Sequence, residues 1–280
     1  MRIITTVATL HLHLNQLRKQ GKSIGFSPTM GALHAGHSSL INEAKARKDY
    51  SVCSIFVNPT QFNQASDLQN YPRTLSDDVA LLESLDNDLL FLPTVRSIYP
   101  ATLKSIPDYD FGSLTQVLEG VYRPGHFTGV IQVMYRLLYL VQPNHLYMGL
   151  KDYQQQAIVR QLIEYAGLPT QLIPCPTVRE EDGLAMSSRN KRLDAQQRNK
   201  APLIYQVLQH AKAQTPHAIP TDIQTQAKHR LESEGFKVDY FEIVDSKTLL
   251  PITQFSDQSA LACVAAWLGD VRLIDNLFLQ

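Results

Sequence analysis

The chain has 280 residues, of which 44% are hydrophobic and 19% are charged, a balance typical of a globular protein with an ample core. Lys and Arg number 26, as do Asp and Glu, so no overall basic field is present to recruit nucleic acid or an anionic membrane. No uncharged apolar run approaches the roughly 18 residues that a membrane-spanning helix requires. The three cysteines are far apart, which predicts reduced thiols and a cytoplasmic protein.

Strand and helix signals alternate along the first part of the chain. Leucines at helical spacing predict a helix over 6–20, and a turn that leads into a short buried strand is predicted over 21–26. Repetition of this pattern predicts a parallel sheet covered by helices on both faces. The further strands are predicted at 51–57, 88–93, 145–148 and 170–173, and the further helices at about 40–47, 77–85, 128–141 and 153–166.

The composition changes after the proline-flanked segment 174–176. We therefore predict two domains, an α/β domain with a parallel sheet over residues 1–175 and a smaller α+β domain over residues 176–280 that acts as a lid. The elements predicted in the second domain are helices at about 195–213 and 222–234 and strands at 238–244, 261–266 and 271–274.

The strongest motif joins a strand to a helix and is Pro28-Thr29-Met30-Gly31-Ala32-Leu33-His34-Ala35-Gly36-His37. Such a junction directs backbone N–H groups and the positive end of the helix dipole at a ligand, and a phosphate suits that position. Gly31 and Gly36 let the backbone approach the ligand closely. His34 and His37 share one face of the first helical turn, where both can donate to phosphate oxygens. A plain pair on the helix surface and part of a zinc site are the alternatives, but the sequence offers no third zinc ligand nearby.

Two further strand ends carry polar side chains that suit a substrate. Asn58 and Gln61 follow the strand predicted at 51–57, on the rim where open α/β sheets bind ligands. At a second strand-to-helix junction, Lys151 can reach an anion as a mobile charge and Asp152 is placed to cap the helix. Gln155 lies one turn further along the face that Lys151 occupies. A surface lysine beside a helix cap is the alternative interpretation.

Two other regions carry charges with more than one interpretation. Asp77 and Asp78 fall in the first turn of a predicted helix, where they either favour the helix dipole or contact Mg²⁺ through water. The segment 118–127 is predicted to be an ordered loop with a fixed charge at Arg123 and a titratable group at His126.

A hinge followed by a functional loop is predicted over 174–190. Its charged residues, glycine and hydroxyl groups suit a segment that closes over a triphosphate. Arg189 provides a fixed cation there, and Ser187 and Ser188 provide hydroxyl donors.

These motifs together resemble the pantothenate synthetase family, and the resemblance runs nearly from end to end. It implies a Rossmann-like nucleotidyltransferase fold and an acid–amino acid ligase that joins (R)-pantoate to β-alanine with ATP, releasing AMP and pyrophosphate. It also implies a homodimer that uses Mg²⁺. The further segments that carry the resemblance are Phe56-Val57-Asn58-Pro59, Tyr71-Pro72-Arg73-Thr74, Leu118-Glu119-Gly120, Arg123-Pro124-Gly125-His126-Phe127, Lys151-Asp152-Tyr153-Gln154-Gln155, Asp182-Gly183-Leu184-Ala185-Met186-Ser187-Ser188-Arg189-Asn190, Ala265-Ala266-Trp267-Leu268-Gly269 and Arg272-Leu273-Ile274-Asp275-Asn276.

The resemblance also implies roles for individual residues. It makes His37 the proton donor and includes His34 and Lys151 among the catalytic groups. The implied substrate-site residues are Asn58, Gln61, Gln155, Arg123 and His126. The implied ATP-site residues are Met30, Gly31, Ala32, Leu33, His34, Ala35, Gly36, His37, Gly149, Leu150, Lys151, Asp152, Val178, Met186, Ser187, Ser188 and Arg189.

One ATP-site position departs from the family pattern. The family usually has an acidic or amide residue between Gly149 and Lys151, and this chain has Leu150. A leucine side chain cannot form a hydrogen bond, so any ribose contact at this position is expected from the backbone.

The residue types suit a reaction in two steps. Pantoate's carboxylate attacks the α-phosphorus of ATP to form pantoyl adenylate, and the amine of β-alanine then displaces AMP. Uncharged amides hold the carboxylate nucleophile without neutralising it, while cations stabilise the phosphates. Two alternatives remain at this point: a related adenylyltransferase that keeps AMP on its product, and an ATP-sensing module without turnover. A tRNA synthetase is disfavoured because the balanced charge offers no basic face.

Overall fold

The structure of the chain is a computed structural model that describes residues 1–63, 65–102, 109–215, 217–255 and 259–279. The chain divides into two compact units. The first unit contains residues 1–111, 123–150 and 158–176. The second contains residues 112–122, 151–157 and 177–280. Two short earlier segments therefore group with the C-terminal region, and the roles predicted for residues 1–175 and 176–280 stay predictions.

The first unit is built on a parallel sheet. The described strands have the order β1-β4-β3-β2-β5-β6, and every adjacent pair is parallel. Continuous apolar runs such as Val52 and Cys53 form the central strands because both faces of the sheet are buried. The strands are β1 Arg2–Ile4, β2 Ile24–Thr29, β3 Tyr50–Ile55, β4 Leu89–Phe91, β5 His145–Gly149 and β6 Gln171–Cys175.

Helices connect the strands and cover the sheet, which confirms the predicted α/β class. In α1, the side chain of Thr6 caps the N-terminus and Leu10, Leu14 and Leu17 form the buried face. In α2, Leu40, Ile41 and Ala44 are buried, as their spacing predicts. The helices of this region are α1 Val7–Lys19, α2 Ala35–Ala46, α3 Ala65–Gln69, α4 Leu75–Ser84, α5 Val95–Ile98, α6 Glu119–Tyr122, α7 His126–Val141 and α8 Tyr153–Tyr165.

The second unit contains an antiparallel sheet with helices, so the predicted α+β character is confirmed for this region. Its described strands are β7 Lys237–Asp245, β8 Ala260–Leu268 and β9 Val271–Phe278, in the order β7-β8-β9. One face packs on helices through a core that includes Leu208, Leu231 and Phe241. The helices are α9 Ala195–Lys200, α10 Leu203–Gln214 and α11 Pro220–Ser233. The single helix predicted over 195–213 is interrupted at Ala201 and Pro202.

Among the residues that the structure describes, none of the helices is both long enough and apolar enough to span a membrane.

Candidate active site

The carboxyl ends of β2, β3 and β5 lie side by side in the first unit. Thr29 at the end of β2 pairs with Ile55 at the end of β3, and β5 lies on the other side of β2. The sheet extends through β3 and β4 on one side and through β6 on the other, so the winding reverses between β2 and β5. Ligands of open α/β sheets bind at such a switch point. His34, Asn58 and Gly149 therefore belong to segments that leave this edge of the sheet.

The segment between β2 and α2 forms a tight turn that ends in a pair of histidines. Gly31 and Ala32 have φ angles of 83° and 50°, a left-handed conformation that glycine adopts without strain. His34 is the N-cap of α2, and its Nδ1 accepts a hydrogen bond from the Gly36 N–H at 3.1 Å. In return, Nδ1 of His37 accepts from the His34 N–H at 3.3 Å, and the ring centroids are 4.1 Å apart.

This reciprocal cap assigns the tautomer of both rings. Because each Nδ1 accepts a backbone hydrogen bond, the proton of each neutral imidazole lies on Nε2. His34 and His37 can therefore act as hydrogen-bond donors to phosphate oxygens at the positive end of α2.

A buried carboxylate from α4 holds the turn before His34. The Ala32 N–H donates to Oδ2 of Asp78 at 3.0 Å, and the Leu33 N–H donates to Oδ1 at 2.8 Å. The hydroxyl of Thr74 donates to Oδ1 at 3.2 Å, and Asp78 is 2% exposed. These donors replace the water that a buried carboxylate loses. The sequence placed Asp78 in a first helical turn but gave no sign of its bonds to the Ala32 and Leu33 backbone.

The predicted magnesium contacts fall on this same helix. Among the described residues, no group of three or more His, Cys, Asp or Glu side chains is placed to hold a metal ion. Magnesium commonly takes one or two carboxylates together with substrate phosphates and waters. One or two protein side chains are therefore enough for a site that forms with ATP. Asp77 is exposed and fits such a ligand. Asp78 fits less well because both of its oxygens already accept hydrogen bonds.

Gln61 is oriented by Asn58 in the turn after β3. The side-chain amide of Asn58 donates to Oε1 of Gln61 at 3.0 Å and to the Gly129 carbonyl at 3.2 Å. Oδ1 of Asn58 accepts from the hydroxyls of Thr60 and Tyr99. Since the Gln61 oxygen is the acceptor in this pair, its amide nitrogen is the end that can donate to a substrate. Asn58 is 1% exposed and Gln61 is 8% exposed.

His126 and Arg123 support the same turn from the start of α7. Nδ1 of His126 donates to the Gln61 carbonyl at 2.8 Å, and Arg123 donates to its Nε2 at 3.1 Å. Arginine is always a donor, so Nε2 is the acceptor and the ring is in its Nδ1–H tautomer. His126 is 5% exposed. The structure therefore brings together four predicted substrate-site residues in one network, in which Gln61 is fixed by both its side chain and its backbone.

Lys151 lies in a one-turn 3₁₀ helix, Leu150–Asp152, between β5 and α8. Within the second unit, its Nζ is 4.0 Å from Oδ2 of Asp152, and the lysine side chain is 17% exposed. Its carbonyl accepts a hydrogen bond from the side chain of Asn276 at 2.8 Å. A lysine at the end of a strand, mostly covered and only weakly paired, suits the binding of an anion.

The neighbouring glutamines of α8 have different environments. Gln154 is buried, and its amide donates to the carbonyls of Leu114 and Val117 at 2.7 and 2.8 Å. Its oxygen accepts from the Glu119 N–H, so this side chain holds the segment 112–122. Gln155, the residue predicted to bind substrate, is half-buried. The sequence analysis assigned a site role to Gln155 alone, and the role of Gln155 stays a prediction.

The predicted triphosphate loop folds as a hairpin in the second unit. Arg179 lies opposite Ala185 in an antiparallel bridge, and the Met186 N–H donates to the Val178 carbonyl at 3.0 Å. Gly183, with a φ of 92°, forms the turn.

A second short turn follows the hairpin directly. Ser187 caps the 3₁₀ helix Ser188–Arg192 by accepting from the Arg189 N–H. Ser188 is buried, while Ser187 and Arg189 are half-buried.

Two acidic residues of this hairpin, Glu180 and Asp182, are paired within the unit. Arg198 donates to Glu180 at 2.8 Å and to Asp182 at 2.5 Å. The hydrogen bond from Arg198 lowers the pKa of the Asp182 carboxyl, and the bond to Asp182 raises the pKa of Arg198. Arg198 thereby offsets part of the negative charge of this hairpin.

A helix N-terminus at the switch point of a parallel sheet is the arrangement with which α/β enzymes commonly bind nucleotides. Comparison with known proteins makes the assignment specific. The family model described as Pantoate-beta-alanine ligase matches residues 2–278. The chain belongs to this family.

Relatives and solved structures agree with this membership. A pantothenate synthetase from Cytophaga hutchinsonii is 45% identical over 278 residues, covering 98% of each chain. One from Porphyromonas gingivalis is 43% identical over 279 residues and 99% of each chain. The crystal structure of pantothenate synthetase from Thermus thermophilus has a TM-score of 0.92 at 41% identity, covering 100% of this chain and 99% of that one.

A further solved structure carries ligands. Pantoate-beta-alanine ligase from Francisella tularensis, in complex with beta-gamma ATP and beta-alanine, has a TM-score of 0.82 at 39% identity. It covers 100% of this chain and 98% of that one. The chain is thus a ligase that joins pantoate to β-alanine with ATP, and the predicted activity is confirmed. The alternatives of an adenylyltransferase and an ATP-sensing module are not favoured.

Proposed function

We propose that the ligation proceeds through pantoyl adenylate. A pantoate carboxylate oxygen attacks the α-phosphorus of ATP, an O–P bond forms, and the bond to the leaving pyrophosphate breaks. The β-alanine nitrogen then attacks the acyl carbon, the acyl C–O bond breaks, the nitrogen loses a proton, and AMP leaves. The observation that carries the proposal is the histidine cap of α2, which places two imidazole rings, each with its Nδ1 held by the backbone, at a helix N-terminus.

The first unit supplies the phosphate and carboxylate contacts in this proposal. His34 and His37 donate from Nε2 to phosphate oxygens, where negative charge grows as pyrophosphate leaves. The left-handed turn at Gly31 and Ala32 brings the backbone of 30–37 close to the nucleotide. Gln61 holds the pantoate carboxylate through its amide nitrogen.

An amide suits this role better than a cation would. A carboxylate that pairs tightly with Arg or Lys is stabilised in the ground state and loses nucleophilicity, whereas an amide orients it without supplying charge. Asn58, His126 and Arg123 act by positioning Gln61, since they bond its side chain, its carbonyl or one another. We propose Gln155 as a second amide at the pantoate site.

Lys151 and Arg189 supply cations in this proposal. Lys151 stabilises the phosphates during adenylation, and Asp152 lies beside it. Arg189 provides a planar guanidinium that suits bidentate binding of phosphate, and Ser187 and Ser188 provide hydroxyl donors. The backbone at Gly149, Leu150, Val178 and Met186 is proposed to line the nucleotide site, which is consistent with an apolar side chain at position 150.

We propose that Mg²⁺ accompanies ATP, with Asp77 as the side chain that faces it. The ion supplies neutralisation of phosphate charge when bound. The chain's own groups carry out the remaining tasks: His34, His37 and Lys151 bind the phosphates, and Gln61 orients the nucleophile.

We further propose that the enzyme works as a homodimer in the cytoplasm. Support for the location comes from three cysteines that are buried and form no disulfide, Cys53, Cys175 and Cys263. Free thiols of this kind are typical of a reducing compartment. Support for the dimer comes from the family resemblance alone. Light scattering coupled to gel filtration tests it, with twice the 31.5 kDa chain mass as the expected result.

Two measurements test the proposed mechanism. Mass spectrometry of a reaction with ATP, pantoate and β-alanine should find the amide together with free AMP and pyrophosphate. Without β-alanine, pantoate should still drive exchange of labelled pyrophosphate into ATP, because adenylation is reversible. Exchange that required β-alanine would rule out a separate adenylate step.

A further inference from the structure

The motif Arg272-Leu273-Ile274-Asp275-Asn276 has no role in the reaction proposed above. It forms the middle of β9, which pairs with β8 and is the last strand in the order β7-β8-β9. Asp275 and Asn276 pair with Val264 and Cys263 of β8. They are 3% and 7% exposed, an uncommon position for an acid and an amide, and each has specific partners.

Asn276 holds the backbone at Lys151. Its side-chain amide donates to the Lys151 carbonyl at 2.8 Å, across 125 residues of sequence. Three-residue turns of 3₁₀ type have few internal hydrogen bonds, so an external bond of this kind fixes where the lysine side chain begins. The position of the Lys151 cation therefore depends on β9.

Asp275 holds the hairpin that leads to Arg189. It forms a two-bond ion pair with Arg179, at 2.6 and 3.1 Å. Arg179 also donates to the Gly183 carbonyl at 3.1 Å, and its guanidinium stacks on the ring of Tyr205 at 3.8 Å. A half-buried guanidinium with this many partners is fixed in orientation. The start and the turn of the hairpin are thus attached to β9 through one carboxylate.

The two anchors are connected to each other. The backbone N–H of Asn276 donates to Oδ1 of Asp275 at 2.8 Å, the same oxygen that accepts from Arg179. Burial raises the pKa of the Asp275 carboxyl, while the Arg179 hydrogen bond and the charges of Arg179 and Lys151 act in the opposite direction. Lys151 and Arg179 are therefore both electrostatic neighbours of one buried acid.

We propose that Asp275 and Asn276 are positioning residues for adenylation, which hold Lys151 and the 179–185 hairpin in a fixed relation to each other. This inference rests on the proposed role of Lys151. It assigns to β9 the task of keeping Lys151 in register with the hairpin that leads to Arg189. Asn276 acts on the rate of adenylation through the lysine and makes no contact with substrate.

The test is a double-mutant cycle between Asn276 and Lys151, measured as pantoate-dependent exchange of pyrophosphate into ATP. Asn276→Leu removes the amide at similar size, and Asn276→Ala repeats the cycle without added atoms. In the presence of Lys151, each should lower the exchange rate up to about tenfold, the usual size of one lost hydrogen bond. In the Lys151→Ala background, the same changes should alter the rate by less than about twofold, because the side chain being positioned is gone.

A second measurement separates positioning from general damage. Aminolysis of preformed pantoyl adenylate by β-alanine should stay within about twofold for both Asn276 variants, since Lys151 acts in adenylation. Glu242→Gln is the matched control. Glu242 and Asn276 lie opposite the same β8 residue, Cys263, on its two sides. The side chain of Glu242 accepts from Lys228 at 3.0 Å and is given no part in holding Lys151. The control should leave both half-reactions unchanged.

The outcomes separate the positioning role of Asn276 from the proposed role of Lys151 in adenylation. Equal losses with and without the lysine side chain, or equal losses in both half-reactions, would overturn the positioning role while leaving the proposed function intact. An unchanged exchange rate in Lys151→Ala itself would overturn both. The inference is supported if the Asn276 variants lower the rate of adenylation only when Lys151 is present and leave the rate of aminolysis unchanged.

Discussion

The two strand-to-helix junctions of the protein hold their functional side chains in different ways. At the first, between β2 and α2, the ring of His34 accepts from the Gly36 N–H and the ring of His37 accepts from the His34 N–H, while one carboxylate from Asp78 secures the turn. At the second, between β5 and α8, the backbone of Lys151 is secured by Asn276, which is 125 residues away in sequence. The chain also passes from one compact unit to the other between Leu150 and Lys151.

The difference indicates where each junction is vulnerable. The histidine cap of the first is local, and the turn before it depends on one carboxylate of α4, 45 residues from Leu33 in sequence. The position of Lys151 at the second junction depends on β9, which is remote in sequence. Substitutions in β9 should therefore change where this cation lies. Substitutions at each junction test this contrast, and their expected effects range from a large loss of rate to none.

Removing the cation at the second junction should have the largest effect. Lys151→Ala should lower the rate of pantoate-dependent pyrophosphate exchange by about a hundredfold or more, as for loss of one preorganised donor. The control is Lys228→Ala, in the same unit, whose ammonium pairs with Glu242. Exchange at the wild-type rate in Lys151→Ala would remove this lysine from the chemistry.

At the first junction, the sensitive position should be Asp78. Asp78→Asn keeps the shape of the side chain but replaces one carboxylate oxygen with an NH₂ group. That group would face the N–H of Ala32 or Leu33, donor against donor. The change should lower the free energy of unfolding by about 1–3 kcal/mol. The KM for ATP should rise about tenfold, because the turn before His34 loosens. Denaturant unfolding and initial rates measure the two effects.

The adjacent Asp77→Asn is the matched control for this change. Asp77 is exposed, so its substitution should alter stability by less than about 0.5 kcal/mol. It should raise the Mg²⁺ concentration needed for half-maximal rate if Asp77 faces the ion. Equal destabilisation by both variants would contradict the assigned role of Asp78.

The amide network beside the first junction should control pantoate binding. Asn58→Ala leaves Oε1 of Gln61 without the Asn58 amide, so the KM for pantoate should rise about tenfold while that for ATP stays within about twofold. Asn63→Ala is the control, since its amide donates to the carbonyl of Pro124 at the surface. A parallel rise in both KM values would indicate general disruption instead.

The smallest effect is expected for alkylation of the cysteines, since none of them is a proposed site residue at either junction. Burial raises the pKa of Cys53 to about 12 and that of Cys175 to about 11, and it raises the pKa of Cys263 as well. At about pH 8 the folded protein should therefore resist alkylation by iodoacetamide, while the denatured chain reacts at all three thiols. Rapid labelling of the folded enzyme without loss of structure would contradict their burial.

The sequence predicted those parts of the site whose geometry is local. Histidines three residues apart at the start of a helix must share a face, and the continuous apolar run around Val52 and Cys53 predicted a buried strand with Asn58 at its end. The structure confirms both placements. The roles given to these residues in catalysis stay predictions.

The remote contacts could not be predicted in this way. Nothing in the local pattern connects Asp78 with Leu33, or Asn276 with Lys151, because these pairs form only after the chain has folded. Similarly, β1 spans only Arg2–Ile4, which is too short for a periodic signal. The interruption at Pro202 was readable in principle, since proline lacks the N–H that a continuing helix requires.

The most direct test of the mechanism follows an oxygen atom. If the pantoate carboxylate attacks the α-phosphorus, one of its oxygens leaves with AMP when β-alanine attacks the acyl carbon. With pantoate labelled by heavy oxygen in its carboxylate, mass spectrometry should therefore find the label in the phosphate of AMP. Label in orthophosphate, or AMP without label, would contradict an adenylate intermediate.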